Sequence, residues 1–413
     1  MAIDVVVERA AGLDIAKGSL VACVRVPRDG GGYRVHKRKF STLTAGLLEL
    51  AGWLAEHEVT RVGMESTSDY WKPVFYLLED QFECWLLNAR HMRAVPGRKT
   101  DMADAEWIAD LVAHGLVRPS FVPPVPIRRL RDLTRRRALL TAERTREKQR
   151  MEKLLEDAGV KLSIVATDIF GVSARTMIEA LIAGERDGQV LAELAKGRMR
   201  AKRRDLAQAL LGRFNEHHAF LAEMILANVD HLDTMIAQLD ARISQQVAPY
   251  QAQIDLLDTV PGIDQAGAQA ILAEIGPDMS QFPTPGHLAS WAGACPGNNK
   301  TGGVSRPGKA RPGNRWLRAA LGIAALGAVR TRNSYAGALF RRIAARRGGK
   351  RAHKAVAHSL LTAIWHILAG GVEHHDLGAD YHLNRHNPDQ LRRRAIAQLE
   401  RLGYHVDLTP TAA

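Results

Sequence analysis

An N-terminal ribonuclease H-like α/β domain, a helical coiled-coil middle and a mainly α C-terminal region make up the fold class that three observations predict. Short β-rich runs come first and then alternate with helical stretches as far as Asn88. The prolines Pro119, Pro123, Pro124 and Pro126 follow, and beyond them the chain turns helical and arginine-heavy. Three antiparallel strands followed by two strands alternating with helices is the element order of a ribonuclease H-like domain. Proline is excluded from helix interiors and central strands, so the proline run reads as a linker.

Taken in order, the β-rich runs are Gly12-Leu13-Asp14-Ile15, then Leu20 to Val26, then Tyr33-Arg34-Val35-His36. Turns fall at Lys17-Gly18 and at Asp29-Gly30-Gly31-Gly32, which suits a three-strand meander. A helix follows, with Ser41 or Thr42 as its cap and Leu43, Leu47, Leu50 and Leu54 as its apolar stripe. Arg61 to Glu65 reads as a strand, Tyr70 to Leu78 as an aromatic helix, and Phe82 to Leu87 as a fifth strand. From Ile127 to about Asp157 the chain is helical and carries Arg128, Arg129, Arg131, Arg135, Arg136 and Arg137 beside an interrupted leucine stripe. A later long helix has Leu221, Ile225, Leu232, Ile236, Leu239, Ile243 and Val247 at spacings of mostly three and four, as in helical hairpins or coiled coils. This region reads either as a spacer that oligomerises or as one that also touches nucleic acid along its arginine face.

Pro261-Gly262-Ile263 between apolar runs resembles the turn of a helix-hairpin-helix, which offers backbone N–H groups to a phosphate; Asp264 stands where a second glycine is usual. Trp316 to Val329 reads as a buried helix whose Gly322 and Gly327 permit close packing, with a second apolar helix, Val356 to Leu368, against it. Seven of the sixteen histidines lie between His353 and His386. His382 and His386 alone have HxxxH spacing, without an adjacent glutamate and beside Asn384, Asn387 and Pro388, so surface or RNA contact is favoured over zinc. The tail reads as a basic helix ending at Gly403 and a short strand.

Charge is segregated along this chain. From Met279 to Val372 there is no aspartate or glutamate, while four lysines and eleven arginines give +15, against +13 for the whole protein. Such segregation implies a polyanion partner. No apolar run approaches the roughly 18 to 20 residues needed to span a bilayer, and Met1-Ala2-Ile3-Asp4 lacks the pattern of a signal peptide. The expectation is a cytoplasmic protein with no membrane partner. Cys23, Cys84 and Cys295 are odd in number and widely spaced, which argues against a disulfide framework or zinc ribbon and for small buried hydrophobes.

Four carboxylates stand out by position. Asp14 lies on the first strand, Glu65 ends the fourth, and Asp101 and Asp104 open a helix three residues apart, on one face. Four such anions together could hold two Mg²⁺ ions, about 3.5 to 4 Å apart, that clamp a phosphodiester between them. The plainer reading makes Asp101 a helix cap, Asp104 a first-turn acid and the other two turn residues.

These residues resemble a known family. Gly12-Leu13-Asp14-Ile15-Ala16-Lys17, Met64-Glu65-Ser66-Thr67 with Tyr70, and Lys99-Thr100-Asp101 through Asp104-Ala105 are similar to the three acidic blocks of the DEDD transposases of insertion-sequence family 110. Ala292-Gly293 through Cys295-Pro296-Gly297-Asn298-Asn299 and Gly313-Asn314-Arg315-Trp316-Leu317-Arg318 resemble that family's C-terminal transposase domain; Asp376 to Tyr381 and Leu399 to Tyr404 resemble the tail of one branch. The resemblance implies a RuvC-like DEDD domain over 1–125, a helical coiled-coil region over 126–250, a transposase domain over 251–370 and a basic tail over 371–413. It implies a recombinase acting on double-stranded donor and target DNA, guided by a noncoding bridge RNA and assembled as a homo-oligomer, dimer to tetramer. Asp14, Glu65, Asp101 and Asp104 would be the metal-binding tetrad, and Lys300, Arg306, Lys309, Arg311, Arg315 and Arg318 the nucleic-acid contacts of the basic window.

The family also uses a serine, just after the block matched here by Pro296-Gly297-Asn298, as a nucleophile that links covalently to DNA at a site composed between subunits. In this chain the position is held by Thr301, before Gly302-Gly303; Ser305 is the alternative hydroxyl. The β-branch of threonine crowds attack and restricts its rotamers. Two other readings stay open: a hydrolytic ribonuclease H-like nuclease or junction resolvase in which water attacks, and a nucleic-acid-binding protein with an inactive site.

Overall fold

The computed structural model describes residues 4–66, 68–88, 104–295, 300–305, 312–381 and 388–408. The chain divides into two units, Met1–Val122 and Pro123–Ala413.

The first unit is built on a mixed sheet. Strands β1 (Ala10–Ile15), β2 (Ser19–Pro27) and β3 (Tyr33–Ser41) form an antiparallel meander, and β4 (Arg61–Glu65) and β5 (Glu83–Leu87) add in parallel on the other side of β1, giving the order β3-β2-β1-β4-β5. Side chains alternate across a strand, and this alternation sorts the helices. Leu13, Ile15, Val62 and Met64 point into the larger core with α1 (Thr44–Glu56) and α2 (Trp71–Leu78), which cross between β3, β4 and β5. Helix α3 (Asp104–Ala113) covers the opposite face, packing Ile108, Leu111 and Val112 against Ala10 and Leu87, and Ala105 and Ala109 against Cys23.

One sequence expectation about this unit needs correcting. Ser41 belongs to β3 and Thr42 donates its hydroxyl to the Lys17 carbonyl at 2.8 Å, so neither caps α1. Leu43 occupies the cap position with no side-chain hydrogen bond and is exposed, while Leu47, Leu50 and Leu54 are buried.

The second unit is helical. Two long helices, α4 (Val125–Asp157) and a partner over Glu216–Val247, run antiparallel: Arg137 pairs with Asp240 and Arg144 with Asp233, and Leu140 packs between them on Leu232 and Ile236. Helices α5 (Leu162–Val165), α6 (Val172–Ile182), α7 (Gly188–Glu193) and α8 (Arg203–Ala209) fill the connection and share a core with Met151, Leu155, Ala222 and Leu226; the Glu216–Val247 helix is therefore α9. Asn215 caps α9 through the His218 N–H in a reciprocal capping box. The arginine face of α4 is thus partly engaged inside the unit: Arg131, Arg135 and Arg137 meet acids or carbonyls, while Arg129 and Arg136 are exposed.

Helices α10 (Gln251–Asp258) and α11 (Gln265–Ile275) flank the Pro261-Gly262-Ile263 turn. The turn is a packing device here. Gly262 has φ +85°, and a Cβ on it would lie 2.2 Å from the Ala324 carbonyl oxygen and 2.5 Å from the Ala328 nitrogen, while Asp264 accepts from Gly267 N–H at 2.7 Å as the cap of α11. Beyond α12 (Pro285–Trp291), α13 (Arg315–Arg330), α14 (Tyr335–Arg347) and α15 (Gly349–Gly370) complete the bundle, followed by α16 (Pro388–Arg401). Helix α13 is amphipathic rather than buried throughout: Leu317, Leu321, Ala324 and Ala325 face inward, whereas Ile323 and Leu326 are exposed and Gly322 opens onto space. Gly327 alone of its two glycines makes the close approach, to Gly262. The expected terminal strand is absent over 404–408. Cys23 is buried and Cys84 and Cys295 half-buried, all three as free thiols, and burial pushes the Cys23 and Cys84 thiols up to about 12. Among the described residues no helix is long and apolar enough to cross a membrane.

Candidate active site

Strand register decides what lies beside Asp14. Leu13 pairs with Met64 across the parallel β1–β4 ladder, so Asp14 and Glu65, each one residue further on, sit at the same level at the carboxyl ends of adjacent strands. Neighbouring strands are about 4.8 Å apart, and residues at one level share a face. Leu13 and Met64 point to the α1–α2 core, which leaves Asp14 and Glu65 on the face that α3 covers.

Two glycines set how closely α3 can lie. A Cβ on Gly12 would stand 2.1 Å from the Ala105 carbonyl oxygen, and one on Gly63 would stand 2.5 Å from Val112 Cγ2. The direction of α3 follows from its ends: Ala105 lies over Gly12, while the Ala113 carbonyl accepts from the N–H groups of Val6 and Val7, ahead of β1. The helix therefore runs antiparallel to β1, and its first turn, with Asp104, is carried to the strand ends that hold Asp14 and Glu65. Two ion pairs fix its rotation. Glu106 meets Lys37 of β3 at 2.6 Å, and four residues on Asp110 meets the buried Arg25 of β2 at 3.2 Å. Burial raises the Asp110 carboxyl above its ordinary range, opposed by the Arg25 charge.

Backbone topology thus collects three of the four acids at one end of the sheet. Asp101 lies outside the described residues. Among the described residues no group of three or more histidine, cysteine, aspartate or glutamate side chains is arranged to hold a metal ion. Asp14, Glu65 and Asp104 nevertheless supply the hard oxygen donors that a divalent cation such as Mg²⁺ takes. His382 and His386 are also outside the described residues.

In the second unit, Lys300–Thr301 (β6) and Val304–Ser305 (β7) form a two-residue hairpin. Lys300 pairs with Ser305 and Thr301 with Val304. Gly302 and Gly303 at the turn have φ +56° and +80°, which only glycine adopts readily in succession. Thr301 is therefore the last strand residue before the turn, and Ser305 is not its cross-strand partner. Of the basic contacts expected here, Arg315 and Arg318 are exposed on the first turn of α13, with Arg315 over the Trp316 ring at 4.7 Å. Arg306, Lys309 and Arg311 lie outside the described residues.

Sequence reasoning missed Glu274. It is 2% exposed on α11 and accepts a two-pronged hydrogen bond from Arg135 at 2.7 and 2.8 Å. It also accepts from the Asn314 amide at 2.5 Å, with Arg131 at 3.4 Å. The available signal was a lone acid in the otherwise apolar run Ala270-Ile271-Leu272-Ala273-Glu274-Ile275, just before the acid-free window.

Two family models match the chain. Residues 11–159 match a transposase model of the IS110 DEDD type, and residues 254–341 match the model described as transposase IS116/IS110/IS902 family. The first match spans the sheet, α3 and all of α4; the second spans the Pro261 turn, the Thr301 hairpin and α13. No curated protein matches the chain.

Proposed function

Because the chain belongs to the IS110 family of transposases, we propose that it cuts and rejoins DNA strands by a metal-assisted covalent route, with Asp14, Glu65, Asp101 and Asp104 around the scissile phosphate and Thr301 as the attacking residue. Dependence on a divalent metal goes with the DEDD family in general; the further reading is that the ion is Mg²⁺, bound as a pair. When bound, the ions supply Lewis-acid stabilisation of the charge that develops on the phosphoryl oxygens.

The residues themselves divide the work. Asp14 and Glu65 come from rigid strand ends and Asp104 from a helix held by two ion pairs, so the carboxylates are positioned by the scaffold rather than by a loop. In the attack the Thr301 hydroxyl gives up its proton to a base, a bond forms from its Oγ to phosphorus, and the bond from phosphorus to the leaving deoxyribose oxygen breaks; that oxygen takes a proton. Rejoining runs the same exchange in reverse with a different strand's hydroxyl, which conserves phosphodiester energy. The acid-free window, including Arg315 and Arg318, neutralises backbone phosphates, and its affinity should fall steeply with salt. Sequence choice is assigned to a noncoding RNA, and the active assembly to a homo-oligomer.

The observation that carries this reading is the shared level of Asp14 and Glu65 with the first turn of α3 brought to the same strand ends. The test is a suicide DNA duplex carrying the sequences that flank the gene, with the RNA transcribed from that flank. A protein–DNA adduct that disappears in Thr301→Ala and in Asp14→Ala supports the proposal. One observation favours a second reading: the β-branched threonine in the position of the family's serine suits a poorer nucleophile. Cleavage with no adduct would establish hydrolysis by water at the same carboxylates.

A further inference from the structure

Lys196, Arg198, Arg200, Lys202, Arg203 and Arg204 place six cations within nine residues that contain no acid. The rest of 160–215 holds four cations and six acids, so charge is segregated a second time, here in the connection between α4 and α9. This connection lies outside both spans that the family models match.

Runs of like charge repel one another and are commonly disordered. This one is ordered, as a short 3-10 helix over Gly197–Lys202 that runs straight into α8. Ala195 and Leu206, both buried, bracket it, and Met199 packs on the same core. The Lys196 N–H donates to Ser173 Oγ of α6 at 2.9 Å, and the Met199 N–H to the Lys196 carbonyl at 3.1 Å. The backbone beneath the cations is therefore fixed on its inner side.

The charged heads divide into two groups. Arg203 pairs with Glu193 at 3.0 Å and Lys202 reaches the Val165 carbonyl at 2.9 Å, contacts that hold the ridge to its surroundings. Lys196, Arg198, Arg200 and Arg204 are exposed, and among the described residues none of them meets a carboxylate. Lys161 and Arg175, by contrast, pair with Glu156 and Asp230.

Four such cations on a fixed ridge suit the phosphate backbone of a nucleic acid. Aromatic side chains, on which unpaired bases stack, are missing from 196–204, which favours a duplex over a single strand. Membership of a transposase family makes that duplex DNA.

We propose that the ridge is a second DNA-docking surface, which grips the backbone of a DNA duplex without reading its sequence. It goes beyond the roles given to the acid-free window and to Thr301: it uses other residues, and a failure of strand cleavage would leave it standing.

The test is equilibrium binding of a short DNA duplex of arbitrary sequence to the full chain, titrated with salt. Each phosphate contact contributes about 0.9 to the slope of log K against log salt. Arg198→Gln/Arg200→Gln/Arg204→Gln should therefore bind at least about tenfold more weakly at low salt, with a slope shallower by about two to three units. Arg146→Gln/Arg150→Gln removes two exposed cations that α4 already pairs with Glu143 and Glu147, and should leave affinity and slope at wild-type values. An equal loss per charge in that control would reduce the ridge to general surface charge and overturn the proposal. Should the triple variant fold poorly, the wild type answers the same question. Bound duplex DNA should shield Arg198, Arg200 and Arg204 from phenylglyoxal while Arg146 and Arg150 still react, as read by peptide mass spectrometry. An unchanged slope in the folded triple variant, or arginines left unshielded, overturns the docking surface. Shielding by duplex RNA or by a single strand, but not by duplex DNA, overturns its assignment to DNA.

Discussion

Gly12 lies directly under Ala105: the space a β-carbon at position 12 would fill is 2.1 Å from the Ala105 carbonyl oxygen and 2.4 Å from the Ala109 nitrogen. Both neighbours are helix backbone, which cannot swing away as a side chain can. Gly12→Ala should therefore push α3 off the sheet and cost about 2 kcal/mol or more, seen as a lower urea midpoint. Gly52 sits in α1 with nothing within 4 Å of the place a methyl group would take, so Gly52→Ala should hold or gain up to about 1 kcal/mol. Equal effects at the two glycines would mean that α3 does not depend on the close approach.

Chelation separates chemistry from binding. Asp14 and Glu65 stand at one level on adjacent strands, and carboxylate oxygens are the donors a divalent cation takes. Removing divalent ions with EDTA should abolish strand cleavage, and Mg²⁺ should restore it. Duplex affinity at constant ionic strength should survive chelation if the lysines and arginines of the acid-free window supply it, as proposed. Cleavage persisting in EDTA, or in Asp14→Asn, would remove the carboxylates from the mechanism.

The arginines of α4 differ sharply in what they hold. Arg135→Ala leaves Glu274 buried with a much weaker set of partners and should cost about 3 kcal/mol. Arg150 pairs with Glu147, one turn away on the same helix, and is itself well exposed. Arg150→Ala should cost less than about 0.5 kcal/mol. Chemical denaturation of the two variants checks the contrast.

Much of the architecture was legible because it is local. Leu13 and Ile15 alternate with Gly12 and Asp14, and that period alone separates the two faces of β1. The long helices announced themselves through arginine, leucine and the absence of glycine between Val125 and Asp157. What stayed hidden depends on partners distant in sequence. The charges on Arg131, Arg135 and Arg137 read as a solvent or nucleic-acid face because Glu274 and Asp240 lie far along the chain. Ile323 and Leu326 look like core in a string and are exposed, since the packing of α13 on the Pro261 turn and on α11, α14 and α15 decides which side faces inward. For the site, Asp14 and Glu65 could be placed on strand ends from the sequence, but their common level needs the register Leu13 to Met64.

Part of the acid sensitivity should trace to Asp230. Its carboxylate accepts both prongs of Arg175 at 2.6 and 2.7 Å, and these hydrogen bonds hold its pKa below the usual aspartate value. A depressed folded-state pKa contributes stability that is present above the unfolded value of about 3.9 and lost as pH falls through the folded one. Asp230→Asn should therefore be less stable than wild type at pH 7, and the difference should shrink as the pH drops below about 4. Melting temperatures between pH 3 and 7 measure it; a constant gap across that range would rule out this linkage.

The Pro261-Gly262-Ile263 turn offers a choice between phosphate contact and packing, and Asp264 decides it. Its side chain accepts from Gly267 N–H and caps α11, while Gly262 is pressed onto α13 beside Ala324 and Ala328. Asparagine caps as well as aspartate does, whereas alanine leaves the first-turn N–H groups unsatisfied. Asp264→Asn should thus keep stability within a few tenths of a kcal/mol, and Asp264→Ala should lose about 1 kcal/mol. The electrostatic consequence is the discriminating one. If the turn held a phosphate, removing the adjacent negative charge in Asp264→Asn would tighten duplex binding and steepen its salt dependence by up to about one unit of log–log slope. If the turn serves only to seat α13, both affinity and slope stay at wild-type values, which is the expected result in a salt titration of the two proteins side by side.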